Sequence, residues 1–303
     1  MNMKIFAIIV TYNAMPWIDR CLHSLAASSV PVQAVVVDNC SKDETVAHIR
    51  ANYPDATLFA QEQNLGFGQG NNVGIRHAMQ QGCDYVLLLN QDAWIDADML
   101  ATLLPYDDGK TLLSPVHLNG AHTQLDFFFG RNTVIRNGYK ELLTDDPLLA
   151  QATGLHPADE ICAACWLLSR AILEKIGGFN PLFFHYNEDN NYQHRLFYHQ
   201  YVVAWVGGCY VCHDREYRPD PPIKYYRVRQ DLLLQSTDIN HSRVKGFLLQ
   251  IRYGLATLHT SLVRRDFTGF RYFLKAAWDL ATHDFGAVAR SRKAERKLQP
   301  NWL

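Results

Sequence analysis

Apolar runs alternate with amphipathic segments along the first 90 residues of the chain. Ile5–Val10, Ala34–Val37 and Tyr85–Leu89 are apolar throughout, which is typical of strands buried on both faces. From Trp17 to Ala27 the apolar residues recur at helical spacing. The next cycle predicts a helix at Asp43–Ala51, a strand at Ala56–Phe59 and a helix at Asn71–Gln81. This alternation favours an α/β fold, with a mostly parallel sheet flanked by helices.

The alternation weakens between about residues 100 and 160 and then returns. The later predicted elements are a strand at Ile161–Leu168, a helix at Arg170–Ile176, a helix at Asn190–Gln200 and a strand at Val202–Val206. From about Tyr226 the pattern is helical, with no proline before Pro300. The chain therefore divides into residues 1–235 and a helical C-terminal extension, residues 236–303.

The composition is that of a folded protein, because 48% of the 303 residues are hydrophobic and 19% are charged. A formal charge of −1 gives no global electrostatic case for nucleic-acid binding. The charge is nevertheless uneven. The extension holds 12 Lys or Arg against 5 Asp or Glu, a charge of +7, and the preceding residues hold 17 against 25, a charge of −8. A basic extension indicates an anionic surface as its partner.

Two apolar segments invite a targeting or membrane interpretation. The start, Ile5–Val10, is short and has no small-residue cleavage site, so we interpret it as a strand and not as a signal peptide. Phe247–Val263 is interrupted by Gln250, Arg252 and His259 and makes a poor membrane span. The expected location is the cytoplasm, where the extension offers a peripheral contact with the inner face of the membrane.

The seven cysteines are too few for a disulfide scaffold. Cys162/Cys165 and Cys209/Cys212 have the spacing of zinc ligands. Both pairs lie in apolar, strand-like runs, where side chains three residues apart point to opposite faces of a strand. A zinc knuckle needs a turn between its cysteines, so the pattern favours structural, reduced thiols.

Polar residues follow three of the predicted strands. These are Thr11-Tyr12-Asn13, Asp38-Asn39 and Asn90-Gln91-Asp92. In open parallel sheets, ligands bind beyond the carboxyl ends of the strands. One such group is an ordinary turn or helix cap, whereas three groups at one edge predict a ligand site.

These polar groups belong to longer stretches that occur in a fixed order along the chain. The stretches are Ile9–Asn13, Val36–Asp43, Asn64–Ile75, Leu88–Asp92, Gly177–Phe179, Phe183–Asp189, Arg195 and His213. Together they resemble the inverting family-2 glycosyltransferases of the GT-A fold, especially the bacterial rhamnosyltransferase-like branch. The resemblance covers about residues 3–235 and implies a GT-A nucleotide-sugar-binding catalytic domain there. It does not cover the extension.

The resemblance implies a donor site at the carboxyl edge of the sheet. Its expected residues are Thr11, Asn13, Asp38, Asn39, Ser41, Asn64, Gly66, Asn71, Asn90, Gln91 and Arg195. A short acid after a strand can accept ribose hydroxyls, and a glycine-rich loop lets the backbone approach a ligand closely. The loop at Asn64–Gly74 lacks the Gly-Lys-Ser/Thr sequence of a Walker loop.

The same resemblance implies a metal site and a base. Asn90-Gln91-Asp92 occupies the place of the family's Asp-x-Asp motif, so Asp92 and His213 are the expected ligands of Mn²⁺ or Mg²⁺. Asp189 is the expected catalytic base, with Glu188 as the second candidate. Two acids at a helix start are also explained by the helix dipole alone. The family pattern continues as acid-acid-x-Asp, and Asn191 departs from it.

The expected activity is therefore inverting transfer of a sugar, with rhamnose favoured. The donor would be dTDP-rhamnose or a UDP-sugar, and the acceptor a glycan or a lipid-linked glycan in cell-surface polysaccharide synthesis. A sugar-nucleotide nucleotidyltransferase would want a basic, glycine-rich loop after the first strand, which Thr11–Met15 does not provide. An inactive sugar-binding module would be expected to lose the acidic pair. For the extension, docking on an anionic membrane and packing on the catalytic domain both remain open.

Overall fold

The computed structural model describes residues 3–139, 152–215 and 224–303. The alternation predicted for the first 90 residues is confirmed, with boundaries shifted by one to four residues. The elements in chain order are β1 (Ile5–Thr11), α1 (Ile18–Ala26), β2 (Gln33–Asp38), α2 (Thr45–Asn52), β3 (Thr57–Ala60), α3 (Phe67–Gln80) and β4 (Tyr85–Leu89).

The second part of the fold adds strands of both directions. Its elements are β5 (Ala93–Ile95), α4 (Met99–Leu103), β6 (Thr111–Asn119), β7 (Gly154–Pro157), β8 (Cys165–Ser169), α5 (Arg170–Ile176), α6 (Glu188–Tyr198) and β9 (Val202–His213). One long strand, β9, replaces the short strand predicted at Val202–Val206. Its pairing with β6 jumps from Val206 to Tyr210, and Gly208 adopts φ +83° in between. This bulge joins two apolar runs that the sequence presents as separate.

The described strands form one sheet in the order β3-β2-β1-β4-β8-β6-β9-β5, with β7 also paired to β9. The pairs β3/β2, β2/β1, β1/β4 and β6/β9 are parallel, and the remaining pairs are antiparallel. Thr11 lies opposite Asp38 in the β1/β2 register. The carboxyl ends of β1, β2 and β4 therefore meet at one edge, as the sequence predicted.

Apolar layers cover both faces of the parallel strands. Ile8 of β1 packs in one layer with Ile75 of α3, while Ile9 packs in the other layer with Ile18 of α1. All four side chains are fully buried. Continuous apolar strands therefore mark burial on two sides, and burying side chains of this size contributes about 1.5–3 kcal/mol each.

Helix α3 begins earlier than the sequence predicts. It starts at Phe67, directly after Gly66, whose φ is +79°. Most of the predicted glycine-rich loop is therefore helix. A Cβ on Gly70 would lie 2.9 Å from Val10 Cγ1, and one on Gly74 would clash with Ile8. These two glycines allow α3 to lie close to β1, and an approach of this backbone to a ligand stays a prediction.

The extension consists of helices that pack on α6 and on each other. They are α7 (Tyr225–Thr237), α8 (Arg243–Arg264), α9 (Thr268–Asp279) and α10 (Phe285–Glu295). The predicted boundary at residue 235 falls inside α7, and the division into two domains stays a prediction. In the described part of the chain, no helix is long and apolar enough to cross a membrane.

The last residues of the extension pack against the strand-containing part of the molecule that precedes it. The Gly178 N–H donates to the Asn301 carbonyl over 2.8 Å. The Arg195 guanidinium lies 4.7 Å from the ring centroid of Trp302. Packing is thus observed for this end of the extension, whereas much of the outer surface of α8 is exposed.

Candidate functional site

A cleft of about 300 Å³ lies at the carboxyl edge of the parallel strands. Seven of the residues predicted from the sequence line it: Thr11, Asn39, Asn64, Gly66, Asn90, Gln91 and Asp92. Tyr12, Phe67, Phe184 and His185 contribute aromatic walls that the sequence analysis did not assign. The volume is at the lower end of the range for small-molecule sites in proteins.

Hydrogen bonds hold the loops after β1 and β2 together. The buried Asp38 carboxylate accepts bonds from the Thr11 hydroxyl over 2.9 Å and from the Ser41 N–H over 2.9 Å. The Ser41 hydroxyl donates to the same carboxylate and accepts from the Asn13 N–H. Asp38, Asn13 and Ser41 are not among the residues that line the cleft. In this structure they order the wall of the cleft, and their contact with a donor stays a prediction.

A second set of bonds joins three loops around the cleft. The Tyr12 N–H donates to Gln91 Oε1 over 2.7 Å. The Asn39 side chain donates to the Gly66 carbonyl over 3.1 Å and accepts from the Leu65 N–H. A Cβ on Gly66 would clash with the carbonyl of Phe184. A glycine is therefore required where this loop meets the loop before α6.

The metal candidates lie at the other end of the cleft. Ala93 of β5 pairs with His213 of β9, which brings Asp92 to the same place as His213. Asp92 Oδ1 lies 3.4 Å from His213 Nε2, and Asn90 Nδ2 lies 3.3 Å from the same nitrogen. The buried Asn90 Oδ1 has no hydrogen-bond partner among the described residues. These residues place one carboxylate, one imidazole and one free amide oxygen together.

Asp126 and Arg215 lie next to His213 and were missed by the sequence analysis. Asp126 Oδ2 lies 3.6 Å from His213 Nδ1. The Arg215 guanidinium donates to both oxygens of Asp126, over 3.1 and 2.8 Å. A carboxylate behind an imidazole orients it and makes it a better metal ligand. Arg215 could have been suspected from the sequence, because it follows His213 by two positions. Asp126 could not, because it lies in a segment with no clear hydrophobic pattern.

Charge explains the pKa shifts in this cluster. Burial alone would lower the pKa of His213, but the carboxylates of Asp126 and Asp92 outweigh it, and the net shift is upward. Burial alone would raise the pKa of Asp126, but His213 and Arg215 hold it well below its usual range. Asp126 is therefore a permanent carboxylate at neutral pH.

The acidic pair begins helix α6, as the alternative interpretation of the sequence required. Tyr186 and Asn187 before it adopt φ of +69° and +65°, which turns the chain sharply into the helix. Glu188 is 5% exposed, and its Oε2 has no hydrogen-bond partner among the described residues. Asp189 is only partly buried and accepts the Asn190 N–H over 2.9 Å. Of the two acids, Asp189 is the accessible one.

Both carboxyl groups of the acidic pair have raised pKa values. Burial first, and then the negative charge of Asp189, raises the pKa of Glu188. Burial also raises the pKa of Asp189, while backbone N–H groups and the nearby Arg215 cation oppose the shift. Arg215 thus connects the acidic pair electrostatically with the Asp126–His213–Asp92 cluster. An acid whose pKa is raised towards neutrality is suited to proton transfer.

The structure places two predicted donor residues outside the cleft lining. Asn71 lies inside α3 and donates to the Phe67 carbonyl of its own helix over 3.0 Å. Arg195 is 1% exposed and donates to the carbonyls of Ile176 and Gly178 at the end of α5. Both side chains make hydrogen bonds within the protein, and their roles in donor binding stay predictions. The sequence could not show this, because neither side chain differs in type from a ligand-binding one.

A buried carboxylate from the extension supports α6 from behind. Glu295 of α10 is 1% exposed and accepts hydrogen bonds from Asn191 over 2.9 Å and from Asn180 over 2.8 Å. Asn191 is the position where the chain departs from the family's acid-acid-x-Asp pattern. An amide there can donate to Glu295, whereas a carboxylate would repel it.

The seven cysteines are free thiols. In the described ranges, no cluster of three or more His, Cys, Asp or Glu side chains could hold a metal ion by itself. The zinc interpretation of the Cys-x-x-Cys pairs therefore finds no support, and any ion near Asp92 must take further ligands from water or substrate.

The comparison with protein families decides the class. A model of the family described as glycosyl transferase family 2 matches residues 6–177, more than half of the chain. The chain belongs to this family. The match runs from β1 to the end of α5 and so contains most of the cleft.

Two kinds of curated relative are similar to this family-2 chain. The galactofuranosyltransferase GlfT1 of Mycobacterium tuberculosis is 35% identical over 153 residues, or 48% of this chain and 50% of its own length. The dTDP-rhamnosyl transferase RfbF of Shigella flexneri is 23% identical over 277 residues, or 87% of this chain and 89% of its own. An N-acetylglucosaminyl-diphospho-decaprenol L-rhamnosyltransferase of M. tuberculosis is 25% identical over 238 residues, or 69% of this chain and 75% of its own.

Solved structures share the fold of this glycosyltransferase. A mannosyltransferase from Pyrobaculum calidifontis, in complex with GDP-Man and Mn²⁺, has a TM-score of 0.58 at 18% identity and covers 97% of this chain and 80% of its own. Staphylococcus aureus TarS in complex with UDP-GlcNAc has a TM-score of 0.55 at 16% identity and covers 97% of this chain and 88% of its own. At these identities the likeness shows the fold, which is the GT-A fold expected from the sequence.

Proposed function

We propose that the protein transfers a sugar, with inversion, from a nucleotide-diphosphate sugar to a hydroxyl of a glycan or lipid-linked acceptor. The observation that supports this most strongly is the pairing of Asp92, which lines the cleft, with His213 at 3.4 Å, beside an Arg215 cation that also interacts with the acid Asp189. Inverting transfer needs one base to take the acceptor proton as the hydroxyl attacks the anomeric carbon. It also needs positive charge near the departing diphosphate.

Asp189 is the proposed base. It is the more exposed acid of the pair. Glu188 packs against α3, because its Cβ would lie 3.5 Å from a Cβ added at Gly68. Burial raises the pKa of Asp189, so this acid holds a proton more tightly than an ordinary carboxylate does.

Asp92 and His213 are the proposed protein ligands of Mn²⁺ or Mg²⁺. Mg²⁺ in phosphate sites is held by one or two carboxylates together with substrate phosphates and water, so the small donor set fits. The Asn90 amide oxygen, buried and without a partner in the described residues, offers a further ligand or a bond to bound water. A divalent ion bound there supplies charge neutralisation of the diphosphate leaving group.

The nucleoside would lie at the opposite end of the cleft, between Thr11, Asn39 and the aromatic side chain of Tyr12. Rhamnose is the favoured sugar and dTDP the favoured nucleotide, because rhamnosyltransferases are among the relatives that match most of this chain. The galactofuranosyltransferase relative makes a UDP-sugar the first alternative to test. The same relatives are the basis for proposing a role in cell-surface polysaccharide synthesis.

A donor panel tests this proposal. Isothermal titration with dTDP-rhamnose, UDP-galactofuranose, UDP-GlcNAc and GDP-mannose, with and without Mn²⁺, should give metal-dependent binding of at least one donor and slow hydrolysis of it. The product anomer, read by NMR, should be inverted. Binding that is equally strong with Mn²⁺ and with a chelator would remove the metal from the proposal, and no binding across the panel would contradict the donor site.

A further inference from the structure

Helix α8 has one face that packs and one face that does not. The packed face contains two glycines. A Cβ added at Gly254 would clash with the ring of Phe273, and a Cβ added at Gly246 would lie 2.8 Å from the Gln235 carbonyl oxygen. The opposite side presents seven apolar side chains with exposed fractions from 42% to 71%: Val244, Phe247, Leu248, Ile251, Leu255, Leu262 and Val263. We refer to these seven as the α8 apolar face. A contiguous exposed stripe of this kind marks an interaction surface.

A groove continues this face towards α10. It has a volume of about 340 Å³ and is lined by apolar side chains that include Phe247, Leu280 and Phe285. A second hollow adjoins it and shares Arg243, Ala289 and Arg292 with it. This basic hollow is lined by Arg243, Arg290, Arg292, Lys293, Arg296 and Lys297 together with Ala289.

One of these cations is structural and the others are free to meet a ligand surface. Arg292 is 3% exposed and donates to the carbonyls of Ser236, Asp238 and His241. Arg290 and Lys293 of α10 and Lys297 just after it are exposed. An apolar groove that opens directly onto a basic hollow is complementary to a molecule with an acyl chain and an anionic headgroup.

Charge also decides against a second copy of the chain as the partner. Residues 239–265 contain five basic residues and no acidic one. A symmetric dimer through the α8 apolar face would place these cations opposite the same cations of the other copy, which is repulsive. An anionic bilayer offers both an apolar interior and negative charge.

We propose that the α8 apolar face and the basic hollow dock the enzyme on an anionic lipid bilayer. Helix α8 lies in the interfacial plane with its apolar side chains among the acyl chains, as amphipathic surface helices do. The α10 cations contact lipid phosphates, and the groove between them accepts part of an acyl chain. This surface is separate from the residues that line the donor cleft.

Vesicle flotation tests the charge half of the proposal. The protein should bind phosphatidylglycerol vesicles at low salt, bind phosphatidylcholine vesicles much more weakly, and dissociate in 1 M NaCl. Arg290→Gln/Lys293→Gln/Lys297→Gln should weaken the phosphatidylglycerol binding on the order of 100-fold. Arg50→Gln/Lys110→Gln/Lys175→Gln removes the same charge from exposed positions of the catalytic part and should change it less than tenfold.

A second pair of variants tests the apolar half. Leu248→Ser/Leu255→Ser should lose vesicle binding about tenfold or more, while Ile135→Ser/Tyr198→Ser, which alters exposed apolar side chains elsewhere, should retain it. Thermal unfolding of every variant confirms that it is folded. Equal binding to both lipids, equal binding by the test and control variants, or a vesicle-independent dimer that the Leu variants disperse would each overturn the proposal. The assay contains no sugar nucleotide, so its result is independent of transferase activity.

Discussion

The two ends of the cleft use acidic residues in opposite ways. At one end, Asp38 is 1% exposed, and Thr11 and Ser41 donate to its carboxylate. At the other end, Asp92 is partly exposed and has His213 as a neighbour at 3.4 Å. A carboxylate whose bonds are all made within the protein holds a wall, whereas one with open positions can bind. Both residues are aspartates, so residue type does not distinguish a structural carboxylate from one that can bind a ligand. The number of hydrogen bonds that the protein donates to each carboxylate does.

The two adjacent acids Glu188 and Asp189 differ in exposure, and the largest effect is expected there. Asp189→Asn should reduce kcat by about 10²–10⁴-fold while leaving donor affinity within about twofold, because a base acts only in the transition state. Rapid-quench transfer assays and donor titration measure the two quantities separately. A comparable loss of donor affinity would instead make Asp189 a donor ligand.

Glu188→Gln serves as the matched control for that variant. Its carboxyl pKa is raised in the folded protein, so the folded state loses stability as pH rises above the unfolded pKa and through the folded one. Removing the charge should therefore raise the free energy of unfolding at pH 8 by about 1 kcal/mol or more, while transfer continues. Loss of transfer equal to that of Asp189→Asn would move the base to Glu188.

Asp92→Asn and Asp38→Asn test the comparison between the two ends of the cleft directly. Asp92→Asn should weaken metal-dependent donor binding about 10–100-fold with little change in stability, since its carboxylate is not needed to hold the fold. Asp38→Asn should lower the free energy of unfolding by about 1–3 kcal/mol, because buried donors lose an acceptor. Titration of the donor at several Mn²⁺ concentrations and chemical unfolding distinguish these outcomes. If the two variants had the same donor affinity and the same free energy of unfolding, the number of hydrogen bonds to each carboxylate would not distinguish their roles.

The smallest effect is the pH dependence of transfer. Asp189 must be ionised to act as base, and its raised pKa places the acidic limb of kcat/KM above the ordinary range of a carboxyl group near pH 4. Activity should fall as pH decreases through that limb. In Arg215→Gln the limb should move to higher pH, because loss of the nearby cation disfavours the charged form of Asp189. An unchanged limb would show that another group controls it.

Much of the fold follows from the sequence because buried strands and helix spacing are local signals. The elements up to Leu89 and the helix Arg170–Ile176 are found close to their predicted positions. The start of α3 was placed four residues late, since glycines in a helix look like a loop until the strand beneath them is known. The bulge in β9 was missed because Gly207-Gly208 also reads as a strand end.

The candidate site was predictable as far as it sits at strand ends. Thr11, Asn39 and Asp92 follow strands and do line the cleft, and their roles as ligands stay predictions. The surroundings of Arg195 and Asp126 could not be predicted, because their partners are distant in sequence. Arg195 is enclosed by Trp302 and two carbonyls, while Asp126 meets His213 and Arg215 only in the folded chain.

The contact between Glu295 and Asn191 has a consequence for how the protein is made. The catalytic part emerges from the ribosome first and can fold early, but α6 then lacks the carboxylate that its Asn191 and the neighbouring Asn180 bind. The helix that carries Asp189 reaches its final surroundings only once the chain has been synthesised beyond residue 295. Synthesis order thereby delays the complete acidic site until helices α8 to α10 are also in place.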